Sequence, residues 1–347
     1  MKAALMRSYR SPLEIIELAD PEPPPDGVVV RVKACGVCRS DWHGWRGTDP
    51  DIVLPHVPGH ELAGVVEAVG PDCRDVRIGD RVTVPVILGC GRCPTCRGGE
   101  LTVCDRQYVV GFTGWGAFAE RVAVPYADAN VVRLPEEMSF EVAAALGCRT
   151  TTAFRGVVDR ARLRPGEIIA VHGCGGVGLS AVMIAQAIGA TVIAVDIVPE
   201  KLELARTLGA THTIDASAME DVGRAIRELT GGGAQVSIDA LGITATFHNS
   251  IRGLAKLGRH VQVGQPLDEH ATPSIPLLET VYSRQISVIG SRGLPAIRFP
   301  AVFEMIRSGR LDPARLIRQR IALEEATGVF ELMDSYADVG VTVIDRF

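Results

Sequence analysis

The chain has 347 residues, of which 47% are hydrophobic and 22% charged, and its formal net charge is −5 at pH 7. This length exceeds what one hydrophobic core normally supports, so two domains are expected. The acidic balance and the scattered Lys and Arg residues argue against a nucleic-acid partner and favour a small-molecule one. Lys2 and Arg7 leave no space for a signal-peptide core, and no later run reaches membrane-spanning length, so a cytoplasmic protein is expected.

The first part of the chain, from Met1 to about Val124, alternates short apolar runs with turn residues. Strands are predicted at Val28–Ala34, from Glu61 and from Ala117, where hydrophobic and polar residues alternate. The proline-rich segment Pro21–Gly27 predicts a stiff loop, because proline cannot join a central strand. This pattern indicates a β-rich first domain.

Three short segments of this part and its end carry metal-binding residue types. Cys38 and Asp41 lie in CGVCRSDWH, His60 and Glu61 lie in PGHE, and Cys148 lies in LGCRTTTAF. Two cysteines and a histidine with an open fourth position are the composition of a catalytic zinc site. Spacing alone leaves the ordinary alternative open, in which His60 is a turn residue and Cys148 is a core residue.

Four further cysteines share one short loop, CGRCPTCRGGELTVC, at Cys90, Cys93, Cys96 and Cys104. Four thiolates complete a tetrahedral zinc shell with no position for substrate, so this metal is predicted to brace the loop. A redox or disulfide role is less favoured in a reducing compartment. The remaining cysteines, Cys35, Cys73 and Cys174, are expected to be small buried hydrophobes.

From about Leu163 the pattern changes to alternating strands and helices, which predicts roughly six strands of a parallel sheet. In VHGCGGVG, three glycines have the Gly-x-Gly-x-x-Gly spacing between a strand and a helix that ends near Ile188. Asp196 ends the next strand, where a carboxylate can bind a ribose and repel a 2′-phosphate. NAD is therefore predicted over NADP. A second helix is predicted to open at Pro199, and another near Phe299–Ser308.

Together and in this order, these segments resemble the zinc-containing medium-chain alcohol dehydrogenases over essentially the whole chain. The resemblance implies an α/β protein with a GroES-like catalytic domain at 1–150, completed by the tail 290–347. The resemblance also implies a Rossmann NAD-binding domain with a doubly wound parallel sheet at 151–289. It implies reversible hydride transfer between a primary or secondary alcohol and NAD, giving aldehyde or ketone plus NADH. By resemblance to microbial relatives, a homotetramer is expected, with a dimer as the next possibility.

The resemblance also assigns roles around the metals. It makes Cys38, His60 and Cys148 the catalytic zinc ligands, with Glu61 an occasional ligand when substrate is absent, and Asp41 the residue that orients His60. The structural zinc is assigned to the four-cysteine loop, which gives two zinc ions per chain.

Further roles concern the proton path and the cofactor. Ser40 matches the hydroxyl that takes the alcohol proton, and His43 matches the solvent end of that path. The positions assigned to the cofactor are Arg39, Thr152, Gly173, Gly175, Gly176, Val177, Gly178, Asp196, Lys201 and Gly264. For Arg39 and Lys201 the alternative is a solvated surface charge. The residues considered for the substrate cavity are Val86, Trp115 and Trp45, each of which could instead be a packing residue.

Two positions depart from the family pattern. Arg149 stands where relatives usually carry a small residue, and it is expected to narrow the site or to place a charge near the cofactor. Val341 stands where many relatives carry a basic residue that holds the pyrophosphate.

Other functions are less favoured. A polyol or amino-alcohol dehydrogenase of the same superfamily commonly carries a carboxylate where this chain has Cys148. The zinc-free quinone reductases would lack Cys38, His60 and the four-cysteine loop. A nucleic-acid-binding zinc ribbon is disfavoured by the acidic charge, and a catalytically silent binding protein by the complete set of ligand and relay residues.

Overall fold

The structure is a computed structural model that describes residues 1–335 and 338–347. The chain forms two compact units, unit 1 (Met1–Thr151, Gly293–Arg307 and Leu316–Phe347) and unit 2 (Thr152–Arg292 and Ser308–Arg315). The segment Ser308–Arg315 groups with unit 2, whereas the sequence placed it in the tail of the first domain. Its Arg315 donates a hydrogen bond to the carbonyl of Thr207, which also belongs to unit 2.

The described residues form the following strands and α-helices. The strands are β1 (Lys2–Leu5), β2 (Glu14–Glu17), β3 (Val28–Val37), β4 (Glu61–Val69), β5 (Arg81–Thr83), β6 (Arg121–Val124), β7 (Val132–Arg133), β8 (Ile168–His172), β9 (Thr191–Asp196), β10 (His212–Asp215), β11 (Ala234–Asp239), β12 (Leu254–Gln262), β13 (Ser287–Gly290), β14 (Ile317–Ala322) and β15 (Val341–Arg346). The α-helices are α1 (Arg39–Arg46), α2 (Pro94–Arg97), α3 (Ala127–Asn130), α4 (Phe140–Ala145), α5 (Thr151–Phe154), α6 (Gly176–Ile188), α7 (Pro199–Thr207), α8 (Val222–Thr230), α9 (Thr244–Arg252), α10 (Phe299–Arg307) and α11 (Ala326–Asp334).

Unit 1 is built on a seven-stranded sheet in which β14, β15, β3, β4, β5 and β7 follow one another, and β6 also pairs with β3. All of its pairs are antiparallel except β14 with β15. The alternating side chains of β3 bury Val28, Val30 and Val32 in the core of this unit. The predicted β-rich, GroES-like first domain is confirmed.

Unit 2 is a six-stranded parallel sheet with the order β10, β9, β8, β11, β12, β13. This is the 3-2-1-4-5-6 order of a doubly wound dinucleotide-binding fold, as predicted. Strand β10 was not predicted from the sequence, since its residues HTID are few and mostly polar. Within the described residues, no helix combines the length and the apolar character needed to cross a membrane.

Candidate metal centres and cofactor site

One cluster of donor atoms forms where β3 and β4 meet the turn that follows α4. Gly36 pairs with Glu61 in the antiparallel register, so the end of β3 lies beside the start of β4. Cys38 follows β3, His60 precedes β4, and Cys148 lies in the π-helical turn after α4. One donor atom from each of Cys38, His60, Glu61 and Cys148 lies within 4.8 Å of the others. The fold thus brings together metal-ligand candidates that are distant in the sequence.

Asp41 orients this cluster. Its Oδ1 accepts hydrogen bonds from His60 Nδ1 at 2.8 Å and from the Gly59 N–H at 3.1 Å, while Oδ2 accepts from the Cys38 N–H at 2.9 Å. The second ring nitrogen of His60, Nε2, is buried and has no hydrogen-bond partner among the described residues. A buried nitrogen left without a partner beside two thiols fits a metal ligand, because such a group is otherwise costly.

The two thiols of the cluster titrate together. The pKa of Cys38 lies well below its ordinary value, chiefly because Cys148 donates a hydrogen bond to its sulfur. The pKa of Cys148 is raised well above its ordinary value by the same hydrogen bond and by burial. One thiolate is therefore favoured, and a cation in this cluster would release the remaining proton.

Arg149 binds Glu61 rather than standing free. Its Nε donates to Glu61 Oε1 at 3.0 Å, its Nη2 donates to Oε2, and its Nη1 donates to the Val37 carbonyl at 3.2 Å. The Cys148 N–H also donates to Glu61 Oε1 at 2.9 Å. Burial raises the pKa of the Glu61 carboxyl, and the charge of Arg149 opposes that rise. The sequence singled out Arg149 as a departure but did not identify this partner.

Two glycines provide the space for the pair. A Cβ on Gly36 would overlap with Glu61 Oε2, and one on Gly147 would lie 2.6 Å from Glu61 Cδ. Gly147 also has a positive φ of 23°, within the turn that carries Cys148. The carboxylate of Glu61 is thus enclosed by backbone as well as by Arg149.

The second metal-ligand cluster is the four-cysteine loop. The sulfurs of Cys90, Cys93, Cys96 and Cys104 lie within 4.8 Å of one another. Two of these sulfurs accept hydrogen bonds from backbone N–H groups. The Cys96 N–H donates to Cys93 Sγ at 3.4 Å, and the Arg106 N–H donates to Cys104 Sγ at 3.3 Å. The Arg106 guanidinium donates to Cys90 Sγ at 3.3 Å, a contact that sequence reasoning missed although the residue lies two positions after Cys104. This arrangement fits four thiolates around one cation, with no position left for substrate.

The thiols of this loop differ in acidity. Burial opposes ionisation of Cys90, but hydrogen bonds from the backbone of Arg92 and Cys93 lower its pKa to about 6. Burial and the neighbouring Cys93 raise the pKa of Cys96 to about 12. Binding of a metal would therefore be accompanied by proton release.

The three spaced glycines form the turn between β8 and α6. Gly173 has a φ of 92°, and a Cβ there would overlap with the Leu241 side chain. A Cβ on Gly178 would overlap with the Gly173 carbonyl, so this glycine lets the helix pack against the turn. Gly175 faces open space, because no atom of the described residues lies within 4 Å of the place a Cβ would take. A ligand can approach the backbone at Gly175, which fits the role predicted for it.

The first turn of α6 begins with Gly176 and Val177, after Gly175 as N-cap. The N-cap residue, Gly175, has no side chain that could cap these N–H groups. They are available to bind a pyrophosphate, which helix N-termini attract.

Asp196 lies beside this turn at the end of β9. Its Oδ2 accepts a hydrogen bond from the Cys174 N–H at 2.6 Å, and its Oδ1 accepts from Ile197 at 2.8 Å and Val198 at 3.0 Å. The carboxylate is thereby fixed next to the glycines. Lys201 is buried, so it is not the solvated surface charge that the sequence left as an alternative.

Two other cofactor candidates lie in unit 2. Thr152 is buried, and its hydroxyl has no hydrogen-bond partner in the part of the chain that the structure describes. Gly264 follows β12, donates to the Asp239 carbonyl at 2.8 Å, and has no space for a Cβ beside Gly242. Gly264 thus lies at the carboxyl edge of the sheet, where dinucleotide folds bind ligands.

Helix α1, which was not predicted from the sequence, carries the candidates for proton transfer. Ser40 Oγ lies 3.9 Å from Cys38 Sγ, so the hydroxyl adjoins the first cluster. His43 Nδ1 lies 3.4 Å from the Thr48 hydroxyl. Ser40 and His43 thus share the helix that begins at the cluster.

Arg39 is engaged within unit 1. Its guanidinium lies 4.5 Å from the centre of the Trp42 ring, donates to the Met333 carbonyl at 3.0 Å and is 3.7 Å from an Asp338 oxygen. Contact with a cofactor would require Arg39 to give up some of these interactions. Its predicted pyrophosphate contact stays a prediction.

The substrate-cavity candidates divide into two groups. Trp45 is buried, its ring centre lies 5.7 Å from that of Phe330, and its Nε1 donates to the Ser11 carbonyl at 2.7 Å. Trp45 is therefore a packing residue. Trp115 is 43% exposed and Val86 is half-buried, and their role in the cavity stays a prediction.

The remaining expected residues lie as follows. Val341 is buried at the start of β15, so this position offers the cofactor no basic side chain. Cys35 and Cys174 are buried as expected, whereas Cys73 is only partly buried.

Comparison with known protein families gives matches in both units. Residues 24–136 match the family described as the alcohol dehydrogenase GroES-like domain, and residues 176–308 match the zinc-binding dehydrogenase family. The two matches include the four-cysteine loop, His60 and the start of the helix that follows the glycine-rich turn.

Individual relatives cover most of the chain. An alcohol dehydrogenase of Geobacillus stearothermophilus is 38% identical over 84% of each chain. An NAD-dependent alcohol dehydrogenase of Sulfurisphaera tokodaii is 33% identical over 99% of each chain. The solved structure of an alcohol dehydrogenase from Thermus sp. ATN1 is 34% identical, covers 100% of both chains and superposes with a TM-score of 0.91.

Proposed function

The chain belongs to the zinc-type medium-chain alcohol dehydrogenases and is an oxidoreductase, and we propose that it moves a hydride reversibly between a primary or secondary alcohol and NAD. The observation that carries this proposal is the donor set of unit 1. Asp41 holds one nitrogen of His60, and the other lies buried without a partner among the described residues, beside the thiols of Cys38 and Cys148. Such a two-cysteine, one-histidine set leaves a fourth position for substrate.

The residues of this cluster fit a zinc ion held by Cys38, His60 and Cys148. When bound, zinc acts as a Lewis acid and lowers the pKa of an alcohol oxygen. Asp41 fixes the ring of His60 and so determines which nitrogen faces the metal. The polyol dehydrogenase alternative is disfavoured because the third metal donor is Cys148 rather than a carboxylate.

We assign a second zinc ion to the four-cysteine loop, giving two per chain. Its sulfurs lie within 4.8 Å of one another, and two of them accept hydrogen bonds from backbone N–H groups, which supports a structural metal. The loop has only a small cluster of buried residues of its own, so the metal contributes to its folding.

Ser40 would accept the proton of the alcohol and His43 would pass it on towards solvent. The support for Ser40 is its position beside Cys38, and the support for His43 is its location on the same helix, where its side chain is partly exposed. Each proton transfer needs a group within hydrogen-bond reach of the one before it.

NAD is the proposed cofactor in unit 2. The glycine turn and the first turn of α6 would receive the pyrophosphate, and Asp196 would bind the adenosine ribose and disfavour a 2′-phosphate. Thr152, Lys201, Gly264 and Arg39 are proposed as further contacts.

We further propose a homo-oligomer, with a tetramer favoured. Strand β13 is an edge strand of the parallel sheet, and Val288 on it is 46% exposed. The preceding segment exposes Leu277, Leu278 and Tyr282. These exposed apolar residues lie next to a strand edge that pairs with no further strand of the described residues, which fits binding of a second copy of the chain. The thiol clusters support a reducing compartment, the cytoplasm.

The test of this function is NADH formation by the zinc-loaded protein with a panel of primary and secondary alcohols. We expect turnover with NAD and, in the reverse direction, oxidation of NADH by aldehydes or ketones. Absence of turnover with every alcohol and carbonyl in a folded protein with full zinc content would contradict the proposal.

A further inference from the structure

Glu61 is close enough to the first cluster to compete with substrate. One of its carboxylate oxygens lies within 4.8 Å of the donor atoms of Cys38, His60 and Cys148. Carboxylate oxygen is a normal zinc ligand, and a fourth protein ligand would close a site that must stay open. Something must therefore determine where this carboxylate points.

The contacts of Glu61 supply that control. Arg149 donates from two nitrogens to the two carboxylate oxygens, and the Cys148 N–H donates to one of them. A carboxylate has about four acceptor positions, of which three are engaged here. Bidentate hydrogen bonding by arginine also fixes the plane of the carboxylate.

The surroundings make this arrangement specific. The Arg149 side chain is also anchored to the Val37 carbonyl at 3.2 Å. Gly36 and Gly147 leave room for the pair where any larger residue would overlap with Glu61. Both side chains are buried, so water does not compete for their hydrogen bonds.

We propose that Arg149 is a positioning residue that competes with the catalytic metal for the carboxylate of Glu61 and so keeps the fourth coordination position open for the alcohol. This inference rests on the proposed function. It gives a role to the residue that departs from the family pattern.

The charges predict what removal of Arg149 would do. A buried carboxylate without its partner must find another positive charge or accept a proton. A metal held by Cys38, His60 and Cys148 would supply such a charge, because the donor atoms of these residues lie within 4.8 Å of a Glu61 oxygen. Glu61 would then become a fourth protein ligand.

The experiment uses protein with cobalt(II) in the catalytic centre and zinc in the other, because the visible spectrum of cobalt reports its ligands and geometry. Imidazole, titrated without NAD or alcohol, probes the fourth position. We expect Arg149→Met to change the cobalt spectrum and to weaken imidazole binding about tenfold or more, the size of effect seen when groups around metal ligands are removed.

Two further variants separate the parts of the pair. Glu61→Gln should bind imidazole at least as tightly as the parent, because it removes the carboxylate that can compete for the fourth position. The double variant Arg149→Met/Glu61→Gln should restore both the spectrum and the affinity. If Arg149→Met does not fold, Arg149→Lys can be used instead, because it keeps the charge but loses the bidentate hydrogen bonds. It should change the cobalt spectrum and weaken imidazole binding in the same direction, but by less.

Arg259→Met is the matched control. Arg259 binds Glu167 through two nitrogens at 2.8 and 2.7 Å, in unit 2. Its loss should lower thermal stability without changing the cobalt spectrum.

Three results would overturn the inference: an unchanged spectrum and imidazole affinity in Arg149→Met, weaker imidazole binding in Glu61→Gln than in the parent, or no rescue by the double variant. These outcomes leave the proposed function intact. If the parent protein shows no cobalt–thiolate absorption at all, the catalytic metal centre itself is wrong, and the proposed function fails with it.

Discussion

The ring of His60 donates from Nδ1 to Asp41 Oδ1 at 2.8 Å, and both side chains are completely buried. The same carboxylate accepts hydrogen bonds from the backbone N–H groups of Cys38 and Gly59. Asp41 therefore positions two metal-ligand candidates, His60 and Cys38. A substitution of Asp41 should therefore weaken metal binding, although Asp41 is not itself a metal-ligand candidate.

Asp41→Asn should weaken zinc binding at this centre by about 10–100-fold, because an amide cannot accept from all three donors. Competition with a chromophoric chelator measures this affinity. Zinc in the four-cysteine loop serves as the internal control and should remain bound. Unchanged affinity at the His60 centre would show that Asp41 has no part in holding the metal.

Cys96→Ser should reduce the zinc content from two ions to one and impair folding or solubility before it impairs chemistry. The reason is that a closed metal shell contributes its binding free energy to folding. Metal analysis and thermal unfolding are the measurements. Cys73→Ser, which removes a thiol outside both clusters, should retain both zinc ions and the melting temperature of the parent within a few degrees. Full zinc content and normal stability in Cys96→Ser would rule out the structural centre.

Some of this architecture could be predicted from the sequence because local patterns determine it. Alternating residues predicted β3 and β4, and the glycine spacing predicted the turn before α6. Helix α1 was not predicted, since its segment RSDWHGWR is only eight residues long and contains glycine. It depends instead on Asp41, which accepts the Cys38 N–H at its start.

The pairing of Arg149 with Glu61 could not be predicted for a different reason. The two residues are 88 positions apart, and they meet only because β4 and the turn after α4 pack together. Arg106 and Cys90 are only 16 positions apart, but they too meet only because the four-cysteine loop folds back on itself. Side-chain partners across such distances depend on packing, which a single sequence does not reveal.

Asp196→Asn should relax cofactor preference. It retains an acceptor for the backbone N–H groups but removes the negative charge that would face a 2′-phosphate. We expect the ratio of NAD to NADP efficiency to fall by about tenfold, which corresponds to about 1.4 kcal/mol. Binding of NADH and NADPH, followed by fluorescence, and kcat/KM with both cofactors measure it. Asp221→Asn is the control, since Asp221 also accepts a backbone N–H but caps α8. Equal efficiency of the parent with both cofactors would refute the role of Asp196.

His172 should make the protein sensitive to acid. It is buried in β8, both ring nitrogens lack hydrogen-bond partners among the described residues, and burial lowers its pKa from 6.5 to about 4 despite the nearby Asp239. Below pH 6.5 the unfolded chain binds a proton that the folded chain excludes, so stability falls as the pH drops towards 4.

His172→Leu should remove this dependence. Between pH 7.5 and 5.5 the variant should lose about 1–2 kcal/mol less of its free energy of unfolding than the parent. Denaturant midpoints at the two pH values provide the measurement. His212→Leu, at an exposed histidine on β10, is the control and should follow the parent. A parallel loss of stability in His172→Leu and the parent would mean that other groups cause the acid sensitivity.

Ser40 provides the sharpest test of the proton path, because its hydroxyl lies 3.9 Å from Cys38 Sγ yet is not among the metal-ligand candidates. Ser40→Ala should keep both zinc ions and bind NAD normally, while turnover falls by about 10²–10⁴-fold, the usual contribution of a general base. Ser40→Thr keeps the hydroxyl and should keep much of the activity, with a narrower substrate range from the added methyl group. His43→Gln should have a milder effect that buffer bases or a higher pH partly rescue, since His43 lies nearer to solvent. Turnover of Ser40→Ala within a few-fold of the parent, at unchanged zinc content, would mean that the alcohol proton leaves directly to water.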